Sequence, residues 1–510
     1  MNDERKLPKM IGEQCRILYL PDDDNQVVLG VAGSGKSVEA IYRALWISIS
    51  NPKDKIVVLT YNRKVNDTID TYINNYKNND DINEYNNIKV KTIFSYCYYL
   101  INHYSAKPNS ILYGLKHKLN NELKYPLRAI KSSKDDEIIS KAVQIVKDQF
   151  PDASLWQKND YINFIKNEIG WMQDNRIGYY RGARKYYIHV SRIGRGSERI
   201  SSQQRETMYS IYKHYYFIRT LKYYKLFNFK DIYRLIPDLD IPENDKPKYI
   251  IIDEVQDVSP SMFNALNYII RNDGRWSVFG DLAQNIFGQQ ISWQSLGLNN
   301  IKKQYRLKKN YRNSREIGLL AKSILRNKYF DDNNHKFIQP IPSDKKGECP
   351  RIISEDEALS SSEGVINKIN NWLKNETSIA IITMNTYVMY QVKNILNDYY
   401  KNKIPDNIKI LTINKVKGLE FDNVVLYGID TPQMYGNGYY DRPEIISDEH
   451  NLADRTLIED KMSDDDKAII AKRIYVSITR ARKGLLLVYK RNSLDFLFSN
   501  LINILRDSGD

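Results

Sequence analysis

Short runs that are apolar except at Lys89 and Ser277 recur through the first half of the chain, at 27–29, 56–59, 88–90, 249–252 and 276–279. Runs of this kind are expected of parallel strands covered on both sides, and helix-like stretches separate them. The pattern predicts a doubly wound α/β domain. About 150 residues of helical, aromatic and basic sequence lie between the third and fourth runs, where a crossover needs only a dozen or so. That segment, 96–235, is expected to be an inserted helical subdomain. A second alternation follows, with strands expected at 379–383, 408–412, 423–427 and 485–489 and helices near 386–399, 465–479 and 493–506. The predicted organisation is therefore two tandem α/β domains: 1–95 continued by 236–302, with the insert between them, and then 303–510.

Charge sharpens this picture. The 510 residues carry a formal net charge of +14, and residues 181–234 alone hold 13 Lys/Arg against 3 Asp/Glu. Such local excess implies a polyanionic partner. In the same segment tyrosines such as Tyr186, Tyr187, Tyr215 and Tyr216 accompany the basic residues, and Arg192 and Arg195 lie in SRIGRGSER, a basic turn suited to phosphates. Single-strand channels combine such charge with aromatic stacking platforms. Most of these tyrosines, however, fall at helical spacing and are expected in a core. The stretch 441–467 has the opposite balance, 10 acidic and 4 basic residues, and reads as an exposed loop. Three dispersed cysteines argue against a disulfide framework or a zinc cluster. No run approaches the roughly 18 apolar residues of a membrane span, so no membrane partner and a cytoplasmic location are expected.

The candidate chemistry begins at GVAGSGKS, residues 30–37. The glycines let backbone N–H groups close around a phosphate, the helix starting at Lys36 directs its positive end at the anion, and Ser37 can ligate Mg²⁺. A second anchor is expected from IIIDEVQD, where Asp253 emerges from a buried strand to hold the metal and Glu254 can activate water. An NTP hydrolase using ATP and Mg²⁺ follows. Gln284 in GDLAQNIFG is placed to sense the γ-phosphate, with Phe287 as a stacking face. Arg312 in KKNYRNS and Arg480 in YVSITRAR can clamp it from the second domain.

In chain order, IGEQCRIL, GVAGSGKS, LTYNRKV, KTIFSYC, DEVQD, GDLAQNIFG, NYR, LTINKVKGLEFD and YVSITRAR resemble the motifs of superfamily 1 helicases of the UvrD/Rep/PcrA-like branch. The resemblance covers nearly the whole chain and implies two RecA-like P-loop domains. It implies that Gln14 reads adenine, that Gly33, Ser34, Gly35, Lys36 and Ser37 hold the phosphates, and that Tyr311 stacks on the base. Lys36, Gln284, Arg312 and Arg480 would meet the γ-phosphate, and Glu420 the ribose. Tyr61, Thr92 and Phe287, with Thr412, Asn414 and Lys417 of the second domain, would line a single-strand track, along which the family steps 3′→5′ on single-stranded and tailed DNA. Three departures stand out: Gln289 replaces a tryptophan, Asn414 replaces a histidine, and only 100 positions separate Arg312 from Thr412. That spacing leaves little or no room for the further subdomain (2B) of long family members, so translocation is expected more firmly than strong autonomous unwinding. The alternative is a DNA-sensing ATPase subunit serving a partner nuclease or effector, as in repair or phage defence.

Overall fold

The computed structural model describes residues 7–61, 63–79, 86–108, 128–129, 132–158, 161–178, 182–190, 200–219, 226–227, 229–284, 304–326, 331–332, 335–336, 338–359, 364–416, 418–429 and 464–489. The expected helix at 493–506 and most of the acidic stretch 441–467 lie outside them.

The first lobe begins β1 (Gln26–Gly30), α1 (Lys36–Ser50), β2 (Ile56–Thr60), α2 (Arg63–Asn79), β3 (Ile88–Thr92) and α3 (Ile93–His103). A helical segment follows with α4 (Ser132–Gln149), α5 (Tyr161–Asp174), α6 (Ala183–His189), α7 (Ser202–Phe217) and α8 (Asp231–Leu235). The lobe closes with β4 (Tyr249–Ile252), α9 (Pro260–Ile269), β5 (Arg275–Gly280) and β6 (Gln304–Leu307). Its sheet is parallel, in the order β3-β2-β4-β5-β1-β6.

The uninterrupted apolar runs are explained by cover on both faces. Val27, Leu29, Val57, Leu59, Ile250 and Ile252 enter one hydrophobic cluster, while the alternating Val28, Ile56, Val58 and Ile251 enter another. Full burial of each such side chain contributes about 1.5–3 kcal/mol, which anchors the loops at the carboxyl ends of the strands.

The second lobe runs α10 (Arg315–Leu325), β7 (Arg351–Ser354), α11 (Glu355–Leu359), α12 (Val365–Leu373), β8 (Ile379–Thr383), α13 (Thr386–Tyr399), β9 (Ile408–Thr412), α14 (Ile413–Val416), β10 (Phe421–Tyr427), α15 (Asp464–Ile478) and β11 (Ala481–Tyr489). Its parallel sheet has the order β7-β11-β10-β8-β9. Two parallel α/β sheets match the fold class expected.

The packing divides the chain differently from the expected 96–235 and 303–510. Strand β6 pairs with β1, so the first sheet extends to Leu307 and has six strands rather than five. Ile93, Cys97, Leu100 and Ile101 of α3, with Ile232, Leu235 and Ile236, pack into the first sheet's core. The separate core of the insert gathers residues from Ile138 to Ile218. There Tyr187 and Tyr215 are fully buried, as helical spacing predicts, while Tyr186 is 51% exposed.

Candidate nucleotide cleft and nucleic-acid face

The loop after β1 is shaped by three glycines. Gly33 and Gly35 adopt φ of 73° and 91°, which side chains disfavour. At Gly30, a Cβ would fall 2.4 Å from Ser34 Oγ. Lys36 opens α1 and folds back over this loop, its Nζ donating to the carbonyls of Gly30 and Val31 at 3.0 Å each. Ser37 Oγ donates to Asp253 Oδ2 at 2.5 Å, so the two expected metal ligands, 216 residues apart in sequence, stand side by side.

Asp253 is fully buried at the end of β4, and burial raises its carboxyl above the usual range, with Glu254 adding to the effect. A hydroxyl and a buried carboxylate are hard oxygen donors suited to Mg²⁺, which takes one or two protein ligands and completes its shell with phosphate and water. Among the described residues no group of three or more His, Cys, Asp or Glu forms a metal cage. Glu254 has φ 57°, left-handed and uncommon for a residue with a side chain, and its N–H donates to Asp253 Oδ1 at 2.9 Å. An acid strained in this way beside a phosphate loop fits a functional role.

The second lobe closes over this loop. Tyr311 N–H donates to Gly33 O at 2.9 Å, and its hydroxyl accepts from Glu13 N–H at 3.1 Å. Gln14 Nε2 donates to Ser34 O at 2.8 Å, while its Oε1 accepts from Ile11 N–H. The adenine candidates Gln14 and Tyr311 therefore flank the same loop. Arg480 is 2% exposed and donates from Nη2 to Gln284 Oε1 at 2.8 Å, across the cleft. Burial, with Arg312 nearby, lowers the Arg480 guanidinium to about 10, so it stays charged at neutral pH.

Arg312 forms an ion pair with Glu420, which also binds Arg482 at 2.8 Å. Burial alone would raise the Glu420 carboxyl, but Arg312, Arg482 and Arg480 outweigh it and hold it down at about 2. Glu420, expected at the ribose, is thus placed to orient Arg312 as well.

On the nucleic-acid side, Tyr61 lies just past β2 and is 47% exposed. Thr92 ends β3, in register with Thr60, and its side chain accepts Ser95 N–H to cap α3. Thr412 ends β9 in the second lobe, in register with Thr383. Phe287, Lys417, Arg192 and Arg195 lie outside the described residues, as does the side chain of Asn414.

Two residues of the quoted motifs to which sequence reasoning gave no role enter the site. Gln256 donates to Glu254, and Asp281 accepts from Gln284 Nε2 at 2.7 Å. The available signal was spacing, since Gln256 lies two positions after the acid and Asp281 three before Gln284.

Two protein-family models match this chain. The model for the UvrD/REP helicase N-terminal domain matches residues 12–306. That for the UvrD-like helicase C-terminal domain matches 389–492. Comparison with curated proteins gives no match. Among the described residues no helix is long and apolar enough to cross a membrane.

Proposed function

Because this chain belongs to the UvrD-like superfamily 1 helicases, we propose that it is a motor stepping 3′→5′ along single-stranded DNA, driven by ATP hydrolysis in the cleft between its lobes. Membership makes it an ATP-dependent DNA helicase, and such enzymes use ATP and Mg²⁺. The observation that carries the mechanistic reading is the Arg480–Gln284 contact across the cleft.

In this reading Ser37 and Asp253 hold Mg²⁺, which neutralises charge on the β- and γ-phosphates when bound. The loop amides and Lys36 cradle the phosphates, and Glu254 accepts the proton of the attacking water. Arg312 and Arg480 stabilise the charge on the transferred phosphoryl group, so its departure loosens the lobes. Gln14 and Tyr311 hold the base. Tyr61, Thr92, Phe287, Thr412, Asn414 and Lys417 line the strand, with Arg192 and Arg195 adding phosphate contacts.

The short span between Arg312 and Thr412 supports a chain without a 2B subdomain. Of the described elements there, α10 to β9 supply strands or core residues of the second lobe, and one short antiparallel pair, Asp331–Asp332 with His335–Lys336, forms a small sheet of its own. Translocation with weak unwinding, or service to a partner effector, follows from that economy.

Lys36→Ala and Glu254→Gln should each lower single-strand-stimulated ATPase turnover by about 100-fold or more, while single-strand affinity changes less than about threefold. ATPase activity indifferent to single-stranded DNA defeats the motor reading. Displacement from 3′-tailed but not 5′-tailed duplexes tests the polarity.

A further inference from the structure

Between the acid Glu254 and the second lobe runs an unbroken series of hydrogen bonds. Arg480 Nη2 donates to Gln284 Oε1 at 2.8 Å, and Gln284 Nε2 donates to Asp281 Oδ2 at 2.7 Å. The Asp281 N–H donates to Gln256 Oε1 at 3.0 Å, and Gln256 Nε2 donates to Glu254 Oε2. The links Gln256, Asp281, Gln284 and Arg480 are all buried.

Chemistry fixes the direction of each bond. A guanidinium and a backbone N–H can only donate, so each glutamine must turn its carbonyl oxygen toward them and its NH₂ toward a carboxylate. Every donor therefore points from the second lobe toward Glu254.

Two further features hold the series in place. Asp281 Oδ1 accepts Ala283 N–H at 3.0 Å, which ties its carboxylate to the turn after β5. At Gly280 a Cβ would lie 2.8 Å from Gln256 Oε1 and 2.6 Å from Val255 Cγ1, so only glycine allows Gln256 to approach the strand this closely.

We propose that Gln256 and Asp281 are positioning residues that carry the Arg480–Gln284 contact to Glu254, so that docking of the second lobe aims the acid at its water. The proposal rests on the reading of Glu254 as the base and Arg480 as a phosphoryl contact. Neither positioning residue is assigned a nucleotide contact in this reading. Their effect is exerted through the left-handed Glu254, whose backbone gives its side chain no ordinary helical or strand setting.

The test uses the full chain and two substitutions that preserve size. Gln256→Leu removes both hydrogen bonds of that side chain. Asp281→Asn keeps the acceptor for Ala283 but sets an NH₂ against the NH₂ of Gln284. Turning Gln284 over only moves that donor clash to Arg480.

Each variant should lower ATPase kcat by about 10- to 100-fold while ATP KM and affinity for a non-hydrolysable ATP analogue move less than about threefold. Members of one relay fail together, so the double variant should be no more than about threefold below the worse single variant.

Multiplying losses, or analogue affinity falling in step with kcat, would assign these side chains to scaffolding and overturn the proposal. So would turnover near that of the unaltered chain in either variant. Asp281→Asn, which changes no volume, carries the test if Gln256→Leu does not fold. Unaltered protein whose turnover ignores single-stranded DNA would defeat the motor reading instead, and the same variants measured without DNA still decide the relay.

Discussion

Glu39, in the first turn of α1, is fully buried with neither carboxylate oxygen hydrogen-bonded. Burial raises its carboxyl to about 9, against the pull of Lys36. An unfolded chain releases this proton near the ordinary value of 4.5, whereas the folded chain retains it until about 9. The folded state thus binds more protons over that window, and stability falls as pH rises through it. Glu39→Gln should therefore raise the melting temperature, and by more near about pH 8.5 than near about pH 5.5. Equal gains at the two pH values in calorimetry would show that burial, not protonation, sets the cost. Nothing in GKSVEA announced this residue, because a helix face next to a phosphate loop looks the same whether it meets solvent or core. Lys36, Ser37 and Asp253 could be singled out as candidates because phosphate and Mg²⁺ chemistry demands those types at those spacings, and the structure sets Ser37 beside Asp253. The partners of Glu420 were not, since Arg312 and Arg482 reach it only through tertiary contact.

Among the elements, the buried strands were readable directly, and of the four edge strands β3 and β9 were read while β6 and β7 were not. Strands β1, β2 and β4 are wholly buried, so an unbroken apolar run betrays them. Edge strands β6 and β7 have lost cover on one side, and QYRL and RIIS carry too few apolar positions to be distinguished from a loop. Helix α3 was read as part of the insert for a related reason. Its Tyr98 and Tyr99 are exposed and gave it the insert's aromatic character, while the opposite face packs on the first sheet. The phosphate loop gives a sharp test at this scale. A Cβ on Gly33 would lie 2.6 Å from Asn310 Oδ1 and 2.7 Å from Arg312 Cβ, and the residue has positive φ. Gly33→Ala should disturb the lobe contact as well as the loop, and lower affinity for ATP analogues by about tenfold or more. Titration with a fluorescent analogue checks this, and unchanged affinity would mean that Asn310 and Arg312 move aside freely.

For the whole molecule, charge and closure are the governing quantities. Residues 181–234 hold an excess of ten positive charges, 13 against 3, so binding of single-stranded DNA should be strongly salt-dependent. With roughly five phosphates contacted, affinity should drop about 100-fold between about 50 and 200 mM salt. Replacing Arg192 and Arg195 by alanine should flatten the log–log slope by about 1 to 1.5. A slope unchanged by the pair would remove that turn from the track. That the lobes meet over one loop could be anticipated from the arginines of the second, but not the bond that fastens them. The N–H of Tyr311 donates to the carbonyl of Gly33, main chain to main chain. Alanine at position 311 would leave this latch in place, since every residue except proline keeps the N–H. Exchanging that one amide for an ester would loosen the closed state while leaving all the side chains of the protein in place.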